Sequence, residues 1–245
     1  MMNTKVCLVG YGSWGKVLYK KLKLIFNVKY ILSRKNYSLK KIRDVEWVII
    51  ATSDASHYKV AKESLKLKKN VFCEKPLTKK LKQAKYLYKL ANENRVKLIV
   101  SDLSEFKPRI KLSQNLNTFK RFKNSLKDQN LNSKRYDLLY RFAYHDIGYI
   151  YDFIKNKKLN SFKINSSKIF LDFSLKYNNT KFLFTYHTKK RKKHYSLNKK
   201  NMNQKNDIIK KMFINYIVKN KGFNRNKQKS LFIINNLEKI KNKII

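Results

Sequence analysis

Short apolar runs alternate with stretches of helical periodicity through the first hundred residues. Residues 5–9 read Lys-Val-Cys-Leu-Val, and the same apolar character returns at 28–32, 47–51, 70–73 and 96–101. Runs this short and this continuously apolar predict strands of a parallel sheet buried on both faces. Between them apolar residues recur at helical spacing: Val17, Leu18, Leu22 and Ile25, then Val60, Ala61 and Leu65. A third helix is predicted over 78–92, with Leu81, Ala84, Leu87, Tyr88 and Ala91 along one side. This alternation predicts an α/β domain over residues 1–106, a doubly wound parallel sheet of Rossmann type.

Past residue 106 the pattern changes. In the segment 168–177, Ile169, Leu171, Phe173, Leu175 and Tyr177 face one way, with Lys168, Asp172, Ser174 and Lys176 mostly opposite. Asn178-Asn179 is a tight-turn signal, and residues 181–187 read as the returning strand. Residues 207–218 and 230–245 read as closing helices. Residues 107–245 are expected to form an α+β domain with an antiparallel sheet, its last helix packing back on the first domain.

Composition changes this picture little. The chain has 245 residues, enough for two domains with real cores, and 42% of them are apolar. No apolar run reaches the ~18 residues of a membrane span, and the N-terminus lacks the features of a signal peptide. Cys7 and Cys73 fall inside strand-like runs and make no disulfide framework, so a reducing cytoplasm is the expected compartment. Lys and Arg total 59 against 15 acidic residues, a formal charge of +44. These cations are spread from end to end with no recognition motif beside them, so a bias toward Lys, Asn and Ile explains them and no specific nucleic-acid partner is expected. Non-specific attraction of polyanions at low salt remains.

The chemistry concentrates where the predicted strands end. After the first strand comes Gly10-Tyr11-Gly12-Ser13-Trp14-Gly15, with three of the chain's five glycines at G-x-G-x-x-G spacing. Gly10 permits the tight turn, Gly12 lets a pyrophosphate approach the backbone at the helix N-terminus, and Gly15 lets helix and strand pack closely. The second strand ends at Ser33-Arg34-Lys35, where an NAD-specific site carries Asp or Glu for the ribose 2′-hydroxyl. A hydroxyl and a guanidinium suit a 2′-phosphate, which favours NADP(H) with NAD(H) as the alternative. The third and fourth strands end at Thr52–His57 and at Glu74-Lys75-Pro76. Ligands of doubly wound sheets sit beyond such strand ends, so four polar stretches are expected to converge on one crevice.

Three segments, GYGSWGK, VIIATSDASHYKVAKESLKLKKNVFCEKPLTK and the strand before the glycines, carry a resemblance to the glucose-fructose oxidoreductase / inositol dehydrogenase / MocA-like (Gfo/Idh/MocA) oxidoreductases over about residues 4–106. The resemblance implies hydride transfer between a nicotinamide and a carbinol or carbonyl carbon of a sugar, polyol or nucleotide-sugar. It assigns to the cofactor Gly10, Gly12, Ser13, Trp14, Gly15, Ser33, Arg34, Ala51, Thr52, His57, Glu74 and Lys75. Lys75 then also stands beside the reacting hydroxyl, where lost hydration lowers an ammonium pKa and suits it to polarise or protonate oxygen. Glu74 would orient the ribose or the lysine. The chain departs from the family pattern at Lys68, where a glycine usually ends the helix, and at Asp102–Phe106, where an Arg-containing loop is common.

Family members keep a second, larger domain that holds substrate and pairs subunits, so the second domain here is a reduced one, and a homo-oligomer through its sheet is expected. Its catalytic helix is sought in LLYRFAYHDIGYIYDFI. Aligning on His-Asp-Ile makes His145 the catalytic histidine with Asp146 beside it, and turns the family's preceding Asp into Arg141. Aligning on Asp146-Ile147-Gly148 puts Ile150 where the histidine belongs. The first alignment is preferred because imidazole shuttles protons near neutral pH. A metal phosphohydrolase is set aside and no metal is expected, because only four histidines exist and no second His-Asp set appears. The alternatives to a sugar dehydrogenase are an imine or tetrapyrrole reductase on the same scaffold, and a non-catalytic nucleotide- or polyanion-binding protein.

Overall fold

The computed structural model describes residues 2–124, 139–166, 170–187, 189–202 and 207–243. Two compact units divide the chain, Met1–Phe106 with Asp207–Asn235 and Lys107–Asn206 with Asn236–Ile245. Residues 207–235, read from the sequence as part of the second domain, group with the first unit. Among the described residues no helix is long and apolar enough to cross a membrane.

The first unit runs β1 (Met2–Val9), α1 (Ser13–Leu22), β2 (Phe26–Leu32), α2 (Leu39–Arg43), β3 (Trp47–Ile50), α3 (Asp54–Lys66), β4 (Asn70–Cys73), α4 (Leu81–Glu93) and β5 (Leu98–Val100). All neighbouring strands are parallel, in the order β2-β1-β3-β4-β5. Residues Val6–Val9, all of β3, Val71–Cys73 and all of β5 are buried, as strands covered on both faces must be. The order reverses between β1 and β3, which is the place where doubly wound sheets open a ligand crevice. Of the face expected on the first helix, Leu18 and Leu22 are buried but Val17 is exposed.

From the C-terminal half come α6 (Ile208–Phe213), a π-helical turn over Ile214–Val218, and α7 (Phe223–Lys241). Met212, Phe213 and Tyr216 join the core of β1, β3, β4 and α1. The Phe213 ring lies 5.0 Å from that of Phe72 and 6.4 Å from that of Phe26.

α3 and α4 end without glycine. Lys68, at φ 55°, donates its amide to Leu65 O, and Lys69 donates to Ser64 O. This is the paired closure in which the residue after the cap turns left-handed. Arg95, at φ 54°, closes α4 in the same way with Asn92 O and Ala91 O. A side chain there costs about 1 kcal/mol relative to glycine. Lys68→Gly is therefore expected to stabilise the protein by about 1 kcal/mol, a rise of roughly 2–4 °C in melting midpoint for a chain of this size. An unchanged or lower midpoint would show that the cap is not strained.

The second unit contains β6 (Leu116–Asn124), a π-helical turn over Leu139–Ala143, α5 (Tyr144–Ile154), β7 (Leu159–Ser166), β8 (Phe170–Tyr177), β9 (Thr180–His187), β10 (Lys189–Leu197) and β11 (Lys200–Asn201). Its sheet has the order β11-β10-β6-β9-β8-β7. The expected hairpin is present: Tyr177 pairs with Thr180 across Asn178 and Asn179, and Asn178 takes φ 51°. Leu171, Phe173, Leu175 and Tyr177 point to the buried face. Lys168 and Ile169 lie outside the described residues. The sheet is mixed where an antiparallel one was expected, because β6 pairs parallel to β9 while the other pairs are antiparallel. Stacked rings of Phe119, Phe184 and Phe173 fill its core, with centroids 5.1 and 4.4 Å apart.

Candidate functional site

The residue that follows β1, β3, β4 or β5 carries the ladder of the first sheet one step further. Gly10 N donates to Leu32 O, Ala51 N to Val9 O, Glu74 N to Ile50 O and Ser101 N to Cys73 O, all at 2.8–2.9 Å. The glycine turn, the Ala51–Thr52 corner and Glu74 are thus aligned along one edge of the sheet by main-chain bonds. Beside the switch point lies a cavity of about 710 Å³ lined by Gly10, Gly12, Ser33, Arg34, Ala51 and Thr52, among others. Six of the expected cofactor residues meet there. Ser13, Trp14, His57, Glu74 and Lys75 are not in its wall, and neither is Gly15.

The three glycines act differently. A Cβ on Gly10, which has φ 104°, would stand 2.5 Å from the Ala51 carbonyl, and one on Gly15 would overlap the Gly10 carbonyl oxygen. Packing therefore demands both. Around a Cβ on Gly12 nothing lies within 4 Å. Gly12 caps α1 without a side-chain hydrogen bond, so its open side and the helix amides behind it form a cradle for an anionic group.

Glu74 is 7% exposed. One carboxylate oxygen accepts the Lys75 amide at 3.3 Å, and Oε1 has no hydrogen-bond partner among the described residues. An unpaired buried acceptor costs about 1–3 kcal/mol, which a ribose hydroxyl donor would relieve. The cradle, the cavity and this orphan oxygen fit a dinucleotide. Lys75 is half-buried at the same sheet edge, and its bond to Pro76 is cis.

His57 was expected to touch the cofactor. It is instead 1% exposed, with Nδ1 at 2.7 Å from Pro76 O and Nε2 at 3.2 Å from Thr52 O. The ring ties the loop after β3 to the loop after β4. A second tie joins them: Lys79 Nζ lies 2.7 Å from Asp54, and this ion pair holds the Asp54 carboxyl below its ordinary value even though burial pulls the other way. His57 thus positions Lys75 through its neighbour. His57→Ala is expected to cost about 1–3 kcal/mol of stability, by leaving a buried carbonyl unpaired, and to change dinucleotide affinity little. Lost NADPH binding in a folded variant would return His57 to the cofactor contacts.

The Asp102–Phe106 loop is bonded to α7. Asp102 accepts the Ser104 amide at 3.0 Å and meets the buried Lys229 Nζ at 2.7 Å. Glu105 pairs with Lys229 and, at 3.2 Å, with Arg225. Asn226 bonds both the amide and the carbonyl of Val100. These residues clamp α7 to the end of β5. Sequence reasoning missed Lys229 because one lysine among so many carries no signal until its burial is known.

In the second unit, Asp146 is fully buried and accepts Arg121 Nε at 2.9 and 3.0 Å, Tyr186 OH at 2.9 Å and Tyr195 OH at 2.9 Å. A carboxylate so enclosed holds the sheet to α5. His145 is half-buried, its ring edge-on to Tyr144 at 6.2 Å.

Residues 20–102 match the model of the Gfo/Idh/MocA group, described as an oxidoreductase family with an NAD-binding Rossmann fold. No curated protein matches the sequence. Among solved structures, UDP-N-acetylglucosamine 3-dehydrogenase GnnA from Acidithiobacillus ferrooxidans superposes with a TM-score of 0.81 at 13% identity, over 97% of both chains. The dehydrogenase MviM from Clostridium difficile gives 0.79 at 18% identity, over 99% of this chain and 100% of that one. The WlbA dehydrogenase from Thermus thermophilus, solved with NAD and UDP-GlcNAcA, gives 0.76 at 10% identity, over 96% and 94%. At these identities the likeness establishes the two-part fold.

Proposed function

We propose that this chain, which carries the NAD-binding Rossmann domain of the Gfo/Idh/MocA oxidoreductase family, is an NADP(H)-preferring oxidoreductase acting on a hydroxyl or carbonyl carbon of a nucleotide-sugar or related sugar. The observation that carries the reading is the composition of the switch-point cavity. Gly10 and Gly12 line its phosphate side, while Ser33 and Arg34 stand at the end of β2 where NAD-specific sites have a carboxylate. A bound nicotinamide would supply or accept the hydride. Lys75 would exchange the proton with the substrate oxygen, Glu74 would take a ribose hydroxyl on its orphan Oε1, and His145 would serve as the second proton-handling group.

The nucleotide-sugar class draws support from the ligands and names of the structural relatives. Cys7 and Cys73 are free and buried, and burial raises both thiols, Cys7 to about 12, which suits a reducing cytoplasm. A homo-oligomer through the second sheet belongs to the same reading.

Nicotinamide fluorescence titrations with NADPH and NADH test the reading. They belong at about 0.3 M salt, where the Debye length is short enough to suppress non-specific attraction, with ATP and tRNA as controls. Tighter binding of NADPH than NADH is expected, followed by turnover with UDP-sugars. Failure of both dinucleotides while tRNA still binds would overturn it.

A further inference from the structure

The cavity contains a second cation that neither the glycine turn nor the end of β2 explains. Ser56, Lys59, Val60 and Glu63 line it from α3. Their spacing is that of one helix face, so Lys59 belongs to the stripe of α3 directed at the cavity. Arg34 lines the same cavity from the turn after β2. The cavity wall has a single carboxylate, Glu63, and it does not pair with Lys59 four residues before it. Glu63 accepts the Tyr37 hydroxyl at 2.6 Å. Burial first, and then Glu63, hold the Tyr37 phenol above its ordinary value, so it remains the donor of that bond. Neither Arg34 nor Lys59 forms an ion pair among the described residues.

Two unpaired cations on different elements, facing one cavity whose only carboxylate is tied to a phenol, make a site for a compact dianion. A phosphate monoester carries nearly two negative charges at neutral pH, and a guanidinium with an ammonium matches it in charge and donor number. We propose that Lys59 completes, with Arg34, a two-cation clamp for the 2′-phosphate of NADP(H). The inference rests on the NADP(H) reading and goes beyond it. It moves half of the cofactor discrimination from the end of β2, where sequence reasoning looks for it, to the middle of α3. Ser33 contributes less: its hydroxyl lies 3.0 Å from Asn36 Oδ1, to which its amide also donates, so it shapes the turn that presents Arg34.

The test uses four ligands and needs no turnover: NADPH, NADH, adenosine 2′,5′-bisphosphate and 5′-AMP, titrated at about 0.3 M salt. In Lys59→Gln, affinity for NADPH and for the bisphosphate is expected to fall about tenfold, the loss of one charge-assisted contact. NADH and AMP should stay within about twofold, since they place no group in the clamp. Lys59→Arg should keep the preference, and Arg34→Gln should lose it in the same sense. Lys59 is exposed, so the variants should fold, and an unchanged melting midpoint checks this. A preference that survives Lys59→Gln but collapses in Arg34→Gln overturns the role of Lys59 and leaves the NADP(H) reading standing. Equal binding of NADPH and NADH by the wild-type protein overturns both.

Discussion

Asp146→Ala is expected to destabilise the second unit by about 3–5 kcal/mol, the loss that follows when one partner of a buried ion pair is removed. Set against the ~5–15 kcal/mol that holds a typical domain together, this is enough to leave the variant partly unfolded. Asp146 is fully buried and accepts hydrogen bonds from one guanidinium and two phenols. The Arg121 guanidinium also lies 3.6 Å over the Tyr195 ring. Burial would lower the Arg121 pKa, but Asp146 and its neighbours more than offset this and hold it above its ordinary value. The two phenols are raised, by burial first and then by Asp146. All three therefore stay protonated as donors, and removing the carboxylate strands a charge and two hydroxyls in the core. Asp146→Asn keeps an acceptor of the same shape and should lose less. Chemical denaturation of both variants provides the check. A loss under about 1 kcal/mol, within the range of an ordinary surface substitution, together with lost turnover would return Asp146 to the catalytic residues.

The same residue shows where the sequence stops being readable. Arg121, Tyr186 and Tyr195 lie 25, 40 and 49 positions from Asp146, so the dipeptide His145-Asp146 looks alike whether the carboxylate handles protons or anchors a core. β6 and β10 were missed for a related reason. β10 is the lysine-rich Lys-Lys-Arg-Lys-Lys-His-Tyr-Ser-Leu, which has no clean alternation, and only pairing with β6 makes it a strand. β6 in turn runs beside β9, which comes more than fifty residues later, and no local pattern announces such a partner. α2 was missed because it has five residues and one buried side chain, Ile42. The first sheet was legible because its strands are continuously apolar and its polar residues follow at once. Lys68 was legible only through the resemblance, as the place where a glycine usually ends the helix, and the structure shows the left-handed cap there.

Lys75→Ala is the variant expected to separate chemistry from binding. Its backbone is set on all sides: Glu74 N donates to Ile50 O, the Glu74 carboxylate accepts the Lys75 amide, and His57 is bonded to Pro76 O. Truncating the side chain keeps these main-chain bonds and removes the ammonium with its stem. A positioned proton donor or acceptor contributes about 10²–10⁴-fold to rate, so turnover with the working substrate should fall by that order. NADPH affinity should change by no more than a few-fold, because the switch-point cavity proposed for the adenine half of the dinucleotide does not include Lys75 in its wall. Lys75→Arg makes the distinction sharper. Guanidinium keeps the charge but cannot give up its proton at any working pH, so it rescues a merely electrostatic role and fails to rescue a proton-transfer role. Full turnover in Lys75→Ala would remove the lysine from the chemistry. It would leave Glu74, whose Oε1 still lacks a partner among the described residues, as the group of this tripeptide on which function depends.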